Sequence, residues 1–146
     1  MTSMFSSIVP LDRYNWELCL EIKLSVQQES FVPSVLYSLA QARFEQLVPY
    51  GIMYKEQMVG FIMYGEFAGI CWISRILIDK DFQRMGIGSK ATLELISVLK
   101  KNIRCKEIRT SYDIHNTQAK LFFYSLGFEP TDEPIGSEEV AVLIQE

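Results

Sequence analysis

Histidine is nearly absent from this chain, with His115 the only one. Cysteine is sparse: Cys19, Cys71 and Cys105 stand far apart and form no Cys-x-x-Cys pair. A structural zinc site is excluded on those grounds, and no metal is expected. An odd, scattered set of three also argues against a disulfide scaffold and points to a reducing, cytoplasmic setting. Long hydrophobic runs are missing too. The most apolar stretch, residues 60–78, is interrupted by glycines, Glu66, Ser74 and Arg75, so it reads as buried strands rather than a membrane span. The first ten residues lack the basic and apolar regions of a signal peptide. Excess positive charge is lacking as well. A net charge of −4 makes nucleic acid an unfavoured partner.

What is present is an ordinary globular composition, 49% hydrophobic and 22% charged, in 146 residues. That length predicts a single domain spanning 1–146. Charge is unevenly spread. Residues 1–70 carry four Lys/Arg against seven Asp/Glu, residues 71–120 ten against five, and residues 121–146 none against six. A basic middle between acidic ends suits an anionic ligand in the middle and a cationic one elsewhere, although solvated faces would look the same.

The pattern predicts a strand at residues 5–10 and a helix over 13–24 capped by Asp12. A connection follows over 27–33, then a helix over 35–47 capped by Ser34. Strands follow at 50–54, 58–65 and 70–79, the first two joined as a hairpin. A helix over 86–101, a strand at 107–112, a helix over 116–126 ended by Gly127, and strands at 128–131 and 139–144 complete the chain. The fold class is α/β, a mixed α+β sheet with helices on both faces. Residues 70–112 form a strand–helix–strand unit whose two strands should be parallel.

Gln83-Arg84-Met85-Gly86-Ile87-Gly88-Ser89-Lys90 is the most informative stretch. It lies between a buried strand and an amphipathic helix. Two glycines let a ligand approach the backbone closely. The N–H groups of the helix start and the helix dipole favour phosphate oxygens, and Arg84, Lys90 and Ser89 add charge and a donor. A Walker loop is absent. A dinucleotide fingerprint is matched loosely by Gly86-x-Gly88-x-x-Ala91 with Glu107 downstream, but residues 79–85 separate it from its strand and too little chain follows for a doubly wound sheet.

The third reading is coenzyme A. Gln83-x-x-Gly86-x-Gly88 resembles the Gln/Arg-x-x-Gly-x-Gly/Ala turn of the Gcn5-related N-acetyltransferases, the GNAT family. Asn116-x-x-Ala119 followed by Leu126-Gly127-Phe128 resembles that family's second cofactor element. Element order and length agree over nearly the whole chain. Trp16–Leu20, Gln28–Val32 and Tyr37–Ala42 further resemble bacterial spermine/spermidine acetyltransferases.

The resemblance implies the GNAT acyl-CoA N-acyltransferase fold and transfer of acetyl from acetyl-CoA to a primary amine, with spermidine or spermine expected. The alternatives are another small amine, a protein N-terminus, or a non-catalytic acyl-CoA-binding module. Ile76, Leu77 and Ile78 are expected to pair with the pantetheine arm, and an N–H among them to face the thioester oxygen. The turn from Gln83 through Arg84, Met85, Gly86, Ile87 and Gly88 to Ser89 would take the pyrophosphate, and Lys90 the adenosine phosphate. Asn116 would bond the arm, and it also suits a helix N-cap. The family's proton donor to the leaving thiolate is a tyrosine seven residues after that Asn, and here the position is Phe123. Tyr124 is the catalytic candidate beside it, yet one helical step turns it by about 100°. Either the helix is locally rotated, another group protonates the thiolate, or the thiolate leaves unprotonated. Glu29 is the preferred carboxylate for a cationic substrate, ahead of Glu45 and Glu66, and His115 reads as a surface or capping residue. A homodimer is left open.

Overall fold

The computed structural model describes residues 7–144. Among these residues seven strands form one sheet in the order β1-β2-β3-β4-β5-β7-β6. They are β1 (Ser7–Pro10), β2 (Val48–Tyr54), β3 (Gln57–Phe67), β4 (Ile70–Ile78), β5 (Glu107–Asp113), β6 (Phe128–Pro130) and β7 (Glu138–Leu143). Among the described residues only β4 and β5 are parallel; every other neighbouring pair is antiparallel. Two-residue turns at Lys55-Glu56 and Ala68-Gly69 close the β2–β3 and β3–β4 hairpins, all four residues at positive φ as tight hairpin turns require. Residues 5 and 6 of the expected first strand lie outside the described residues.

Helices cover both faces. On one face α3 (Ile87–Lys100) and α4 (Thr117–Ser125) bury Ile87, Ala91, Leu95, Leu99 and Phe123 against Ile73, Ile108 and Phe128. On the other face α2 (Val35–Phe44) and a 3-10 helix (Trp16–Glu21) bury Val35, Ala42 and Cys19 against Phe61, Met63 and Leu77. The expected helix over 13–24 is therefore cut to six residues. Its last part is recruited elsewhere: the Lys23 N–H donates to Asp79 Oδ2 at 3.0 Å, and the Lys23 carbonyl accepts from the Lys80 N–H at 2.7 Å. The expected connection over 27–33 is instead mostly helix, α1 (Val26–Phe31). Ser25 and Gln28 start it with a reciprocal capping box, which satisfies two donors that a helix end leaves open.

Strand β4 departs from regular geometry in two ways. Met63 pairs with Arg75 while Tyr64 pairs with Ile73, so Ser74 is an extra residue, a β-bulge. Ile73 and Ile76 thereby fall on the same face, and Arg75 turns to the α2 side. The parallel ladder is also short, running only from Ile70↔Glu107 to Ile73↔Thr110. There the buried Thr110 hydroxyl donates to the Ile73 carbonyl at 2.9 Å, and beyond it the two strands diverge.

Candidate active site

The divergence of β4 and β5 opens a cavity of about 320 Å³ that reaches through the sheet. On the α3/α4 face its walls include Ile76, Ile78, Gly88 and Phe122, and on the α1/α2 face Phe31, Pro33, Arg75 and Glu138. Strand alternation decides which backbone groups it meets. The Asp79 N–H bonds the Val59 carbonyl, so Leu77, two residues back, also faces β3. Ile76 and Ile78 then direct their N–H and C=O groups towards the opening. The Ile78 carbonyl on this edge accepts from Gln28 Nε2 and Gln83 Nε2, each at 3.1 Å. Gln83 Nε2 also reaches Gln28 Oε1 at 2.7 Å, so the two glutamines close one end of the cavity.

Next to them the turn after β4 leads into α3. Gly86 caps the helix at φ +79°, left-handed backbone that favours glycine. Among the described residues no side chain caps this start, and the first-turn N–H groups of Gly88 and Ser89 point outward. A Cβ added at Gly88 would stand 3.6 Å from both Ile78 Cγ1 and Phe122 Cε1. The fold itself would tolerate it, whereas a ligand against that backbone would lose the space. Of the turn residues, Gln83 and Gly88 line the cavity. Arg84 and Met85 are exposed, Ser89 and Lys90 are half-buried beside the helix start, and the Ile87 side chain is sunk in the core.

Helix α4 forms the opposite wall. Asn116 caps it, Oδ1 accepting from the Ala119 N–H at 3.2 Å, and also lines the cavity. Phe123 lines it too. Its ring lies parallel to that of Tyr112 at 6.0 Å and edge-on to Phe128 at 5.3 Å. Tyr124 turns away and does not line the cavity; its hydroxyl donates to Glu139 Oε2 at 2.8 Å. The Tyr112 hydroxyl donates to the same oxygen, and Lys120 Nζ stands 3.8 Å from Glu139 Oε1. Burial and this carboxylate push the Tyr112 phenol well above its ordinary pKa, and Glu139 pushes Tyr124 up. The hydrogen bond from Tyr112, seconded by that from Tyr124, holds Glu139 below the usual carboxylate range.

The charges in the cavity differ from those singled out in the sequence. Glu29 is exposed on α1 and outside the lining, although Gln27, Gln28 and Phe31 of that helix belong to it. Glu45 accepts from Gln41, Glu66 pairs with Arg104 at 3.7 Å, and His115 is exposed. The lining charges are Arg75, Asp113 and Glu138. Arg75 donates from Nη1 to Ser38 Oγ at 3.0 Å and Gln41 Oε1 at 2.8 Å, and burial lowers its pKa. Sequence spacing gave no reason to group these three. A signal for α1 did exist, since Ser25-x-x-Gln28 is a capping-box pattern. Among the described residues, no three His, Cys, Asp or Glu side chains gather as a metal would need, and no helix is long and apolar enough to cross a membrane.

Residues 14–128 match the Acetyltransferase (GNAT) family, which is most of the chain. The chain belongs to the GNAT family of acetyltransferases. This GNAT acetyltransferase is 32% identical over 119 residues to a probable spermine N(1)-acetyltransferase of Bacillus subtilis subsp. natto strain BEST195, covering 75% of this chain and 78% of that one. It is 31% identical over 119 residues to the spermine/spermidine N(1)-acetyltransferase of Bacillus subtilis strain 168, with the same coverage. In fold it is similar to the PaiA N-acetyltransferase of Thermoplasma acidophilum in complex with coenzyme A. The TM-score is 0.75 at 18% identity, over 99% of this chain and 100% of that one.

Proposed function

We propose that this GNAT acetyltransferase moves an acetyl group from acetyl-CoA to a primary amine, and that the amine belongs to a polyamine such as spermidine or spermine. The observation that carries the coenzyme half is the open edge of β4, the Ile76 N–H and C=O and the Ile78 N–H, beside the helix start at Gly86 and Gly88. The residues present fit a long, thin molecule with an anionic end. Ile76 and Ile78 pair with its arm while Leu77 keeps the strand fixed to β3. The turn from Gln83 through Arg84, Met85, Ile87 and Ser89 faces the pyrophosphate with backbone N–H groups, and Lys90 faces the adenosine phosphate. Asn116 and Phe123 bound the arm from α4. Acetyl-CoA supplies the acyl group, activated as a thioester. For the leaving sulfur, Tyr124 serves only if α4 turns about its axis by roughly one residue, about 100°.

The acceptor must arrive as a free amine, although an alkylammonium has a pKa of about 10.4. Arg75, half-buried in the same cavity, disfavours a second positive charge beside it and so helps the reacting nitrogen shed its proton. Support for a polyamine comes from the two Bacillus relatives and from carboxylates in the lining.

Product formation from acetyl-CoA with spermidine, spermine, a monoamine, an aminoglycoside and a peptide N-terminus tests the whole reading. Polyamines are expected to be preferred by at least tenfold in kcat/KM. Gly88→Val tests the coenzyme half. The folded variant should bind acetyl-CoA at least tenfold more weakly by calorimetry, about 1.4 kcal/mol. Unchanged affinity would remove the turn from the site.

A further inference from the structure

Asp113 and Glu138 are directly opposite each other in the antiparallel β5–β7 pair, and both line the cavity. Opposed residues of such a pair have Cβ atoms about 4.5–5.5 Å apart, where like charges are destabilising. No Lys or Arg lies within ion-pair distance of either one among the described residues. Both are nevertheless held in place. Glu138 Oε1 accepts from Ser111 Oγ at 2.8 Å, and Asp113 Oδ1 accepts from the His115 N–H at 2.8 Å. The Glu138 backbone is bonded both ways to Ile135. The second oxygen of each carboxylate accepts no protein hydrogen bond among the described residues.

These carboxylates do not stand alone. Arg75 on β4, the other arm of the fork, also lines the cavity and has no carboxylate within ion-pair distance among the described residues. Its guanidinium donates to the neutral Ser38 and Gln41 instead. Glu138 acts on the Arg75 guanidinium through space and favours its charge, yet the two stand on opposite arms of the cavity and form no ion pair among the described residues. A ligand with a neutral reacting end and a charged remote end resolves that separation.

We propose that Asp113 and Glu138 together receive the remote ammonium of the acceptor, while Arg75 turns that charge away from the reacting end. This rests on the polyamine reading above and gives it a location that Glu29 does not provide. An ammonium offers three donors, and the two free carboxylate oxygens take two of them. A monoamine has nothing to place there, so the pair contributes binding energy only to substrates with a second cation.

The test is the ratio of kcat/KM for spermidine to that for 1-propylamine. It is measured in the wild type, Asp113→Asn, Glu138→Gln, the double variant and Glu29→Gln. The double variant should lower the ratio at least tenfold, each single variant should lower it less, and Glu29→Gln should leave it as in the wild type. Calorimetry of spermidine with coenzyme A present should show the same order of weakening. Should the double variant fail to fold, the single variants and this titration still decide. An undiminished ratio in the carboxylate variants overturns the assignment and leaves the polyamine reading standing. So does an equal fall in Glu29→Gln, which would mark a general field rather than a contact. A wild-type enzyme that prefers 1-propylamine to spermidine and spermine overturns the polyamine reading, and the assignment with it.

Discussion

Phe123 lines the cavity from α4, packed between Tyr112, Phe122 and Phe128, at the position where the family resemblance implies a tyrosine. Where thiolate protonation limits turnover, Phe123→Tyr raises kcat near neutral pH, by less than the roughly 10²–10⁴-fold typical of general acid catalysis. Steady-state rates with the wild type as control read this directly. Equal or lower turnover, in a variant whose crystal structure puts the new hydroxyl in the cavity, means the reaction never lacked an acid. Gly86 differs from Gly88 at the same scale. A side chain at Gly86 meets nothing within 4 Å but must sit at φ +79°. Gly86→Ala should therefore cost about 1–2 kcal/mol of stability in chemical denaturation. Both glycines were legible in the sequence because spacing and context are local properties. The turning away of Tyr124 followed from the roughly 100° step of a helix. The Asp113–Glu138 pairing was not legible: it depends on a register between two strands far apart in the chain, and no local pattern encodes that.

Glu139 joins elements rather than residues. It binds the Tyr112 hydroxyl of β5 and the Tyr124 hydroxyl of α4 from its own place on β7, so it holds the helix against the diverging strand. Glu139→Gln should destabilise the protein by about 1.5–3 kcal/mol, the range for hydrogen bonds to a charged group. The pH dependence follows from the shifts. Glu139 is lowered on folding, so its contribution is present above the ordinary carboxylate pKa of about 4.3 and is lost as pH falls through the lower folded value. Tyr112 is raised, so its contribution is full below about 10 and is lost as pH rises towards the higher folded value. The difference in Tm between wild type and variant should be flat from about pH 5 to 9 and shrink on either side; a uniform difference across acid and alkali would refute the network. At this scale the sequence pattern located each described strand and the last three α-helices, because amphipathic spacing and caps are local. It failed at residues 13–33. There Asp79 and Lys80 draw the Lys23 backbone into a tertiary bond that periodicity cannot anticipate, and the Ser25–Gln28 box starts a helix of six residues, too short to show a periodic apolar face.

For the molecule as a whole, two cores on either side of one sheet leave the three cysteines in unlike places. Cys19 lies in the α2-side core and Cys71 in the α3-side core, while Cys105 is half-buried. Burial pushes the Cys19 thiol up to about 11; burial, with Cys105 beside it, pushes Cys71 up to about 12. At about pH 7–8 iodoacetamide should therefore label Cys105 first, with Cys19 and Cys71 reacting only on unfolding. Peptide mass spectrometry gives the order, and comparable early labelling of all three would show that the cores open readily. The fork between β4 and β5 has a consequence for handling the protein. A molecule that lies along the free edge of β4 acts as a strand the chain does not itself supply, and it binds only the folded form. Thermal resistance should then climb with ligand concentration without levelling off at saturation, by about 2.7 kcal/mol at one hundred times Kd and about 4.1 at one thousand. Pantetheine, which lacks the pyrophosphate and the whole adenosine end, tried in a melting assay, would show how much of that protection the arm alone confers.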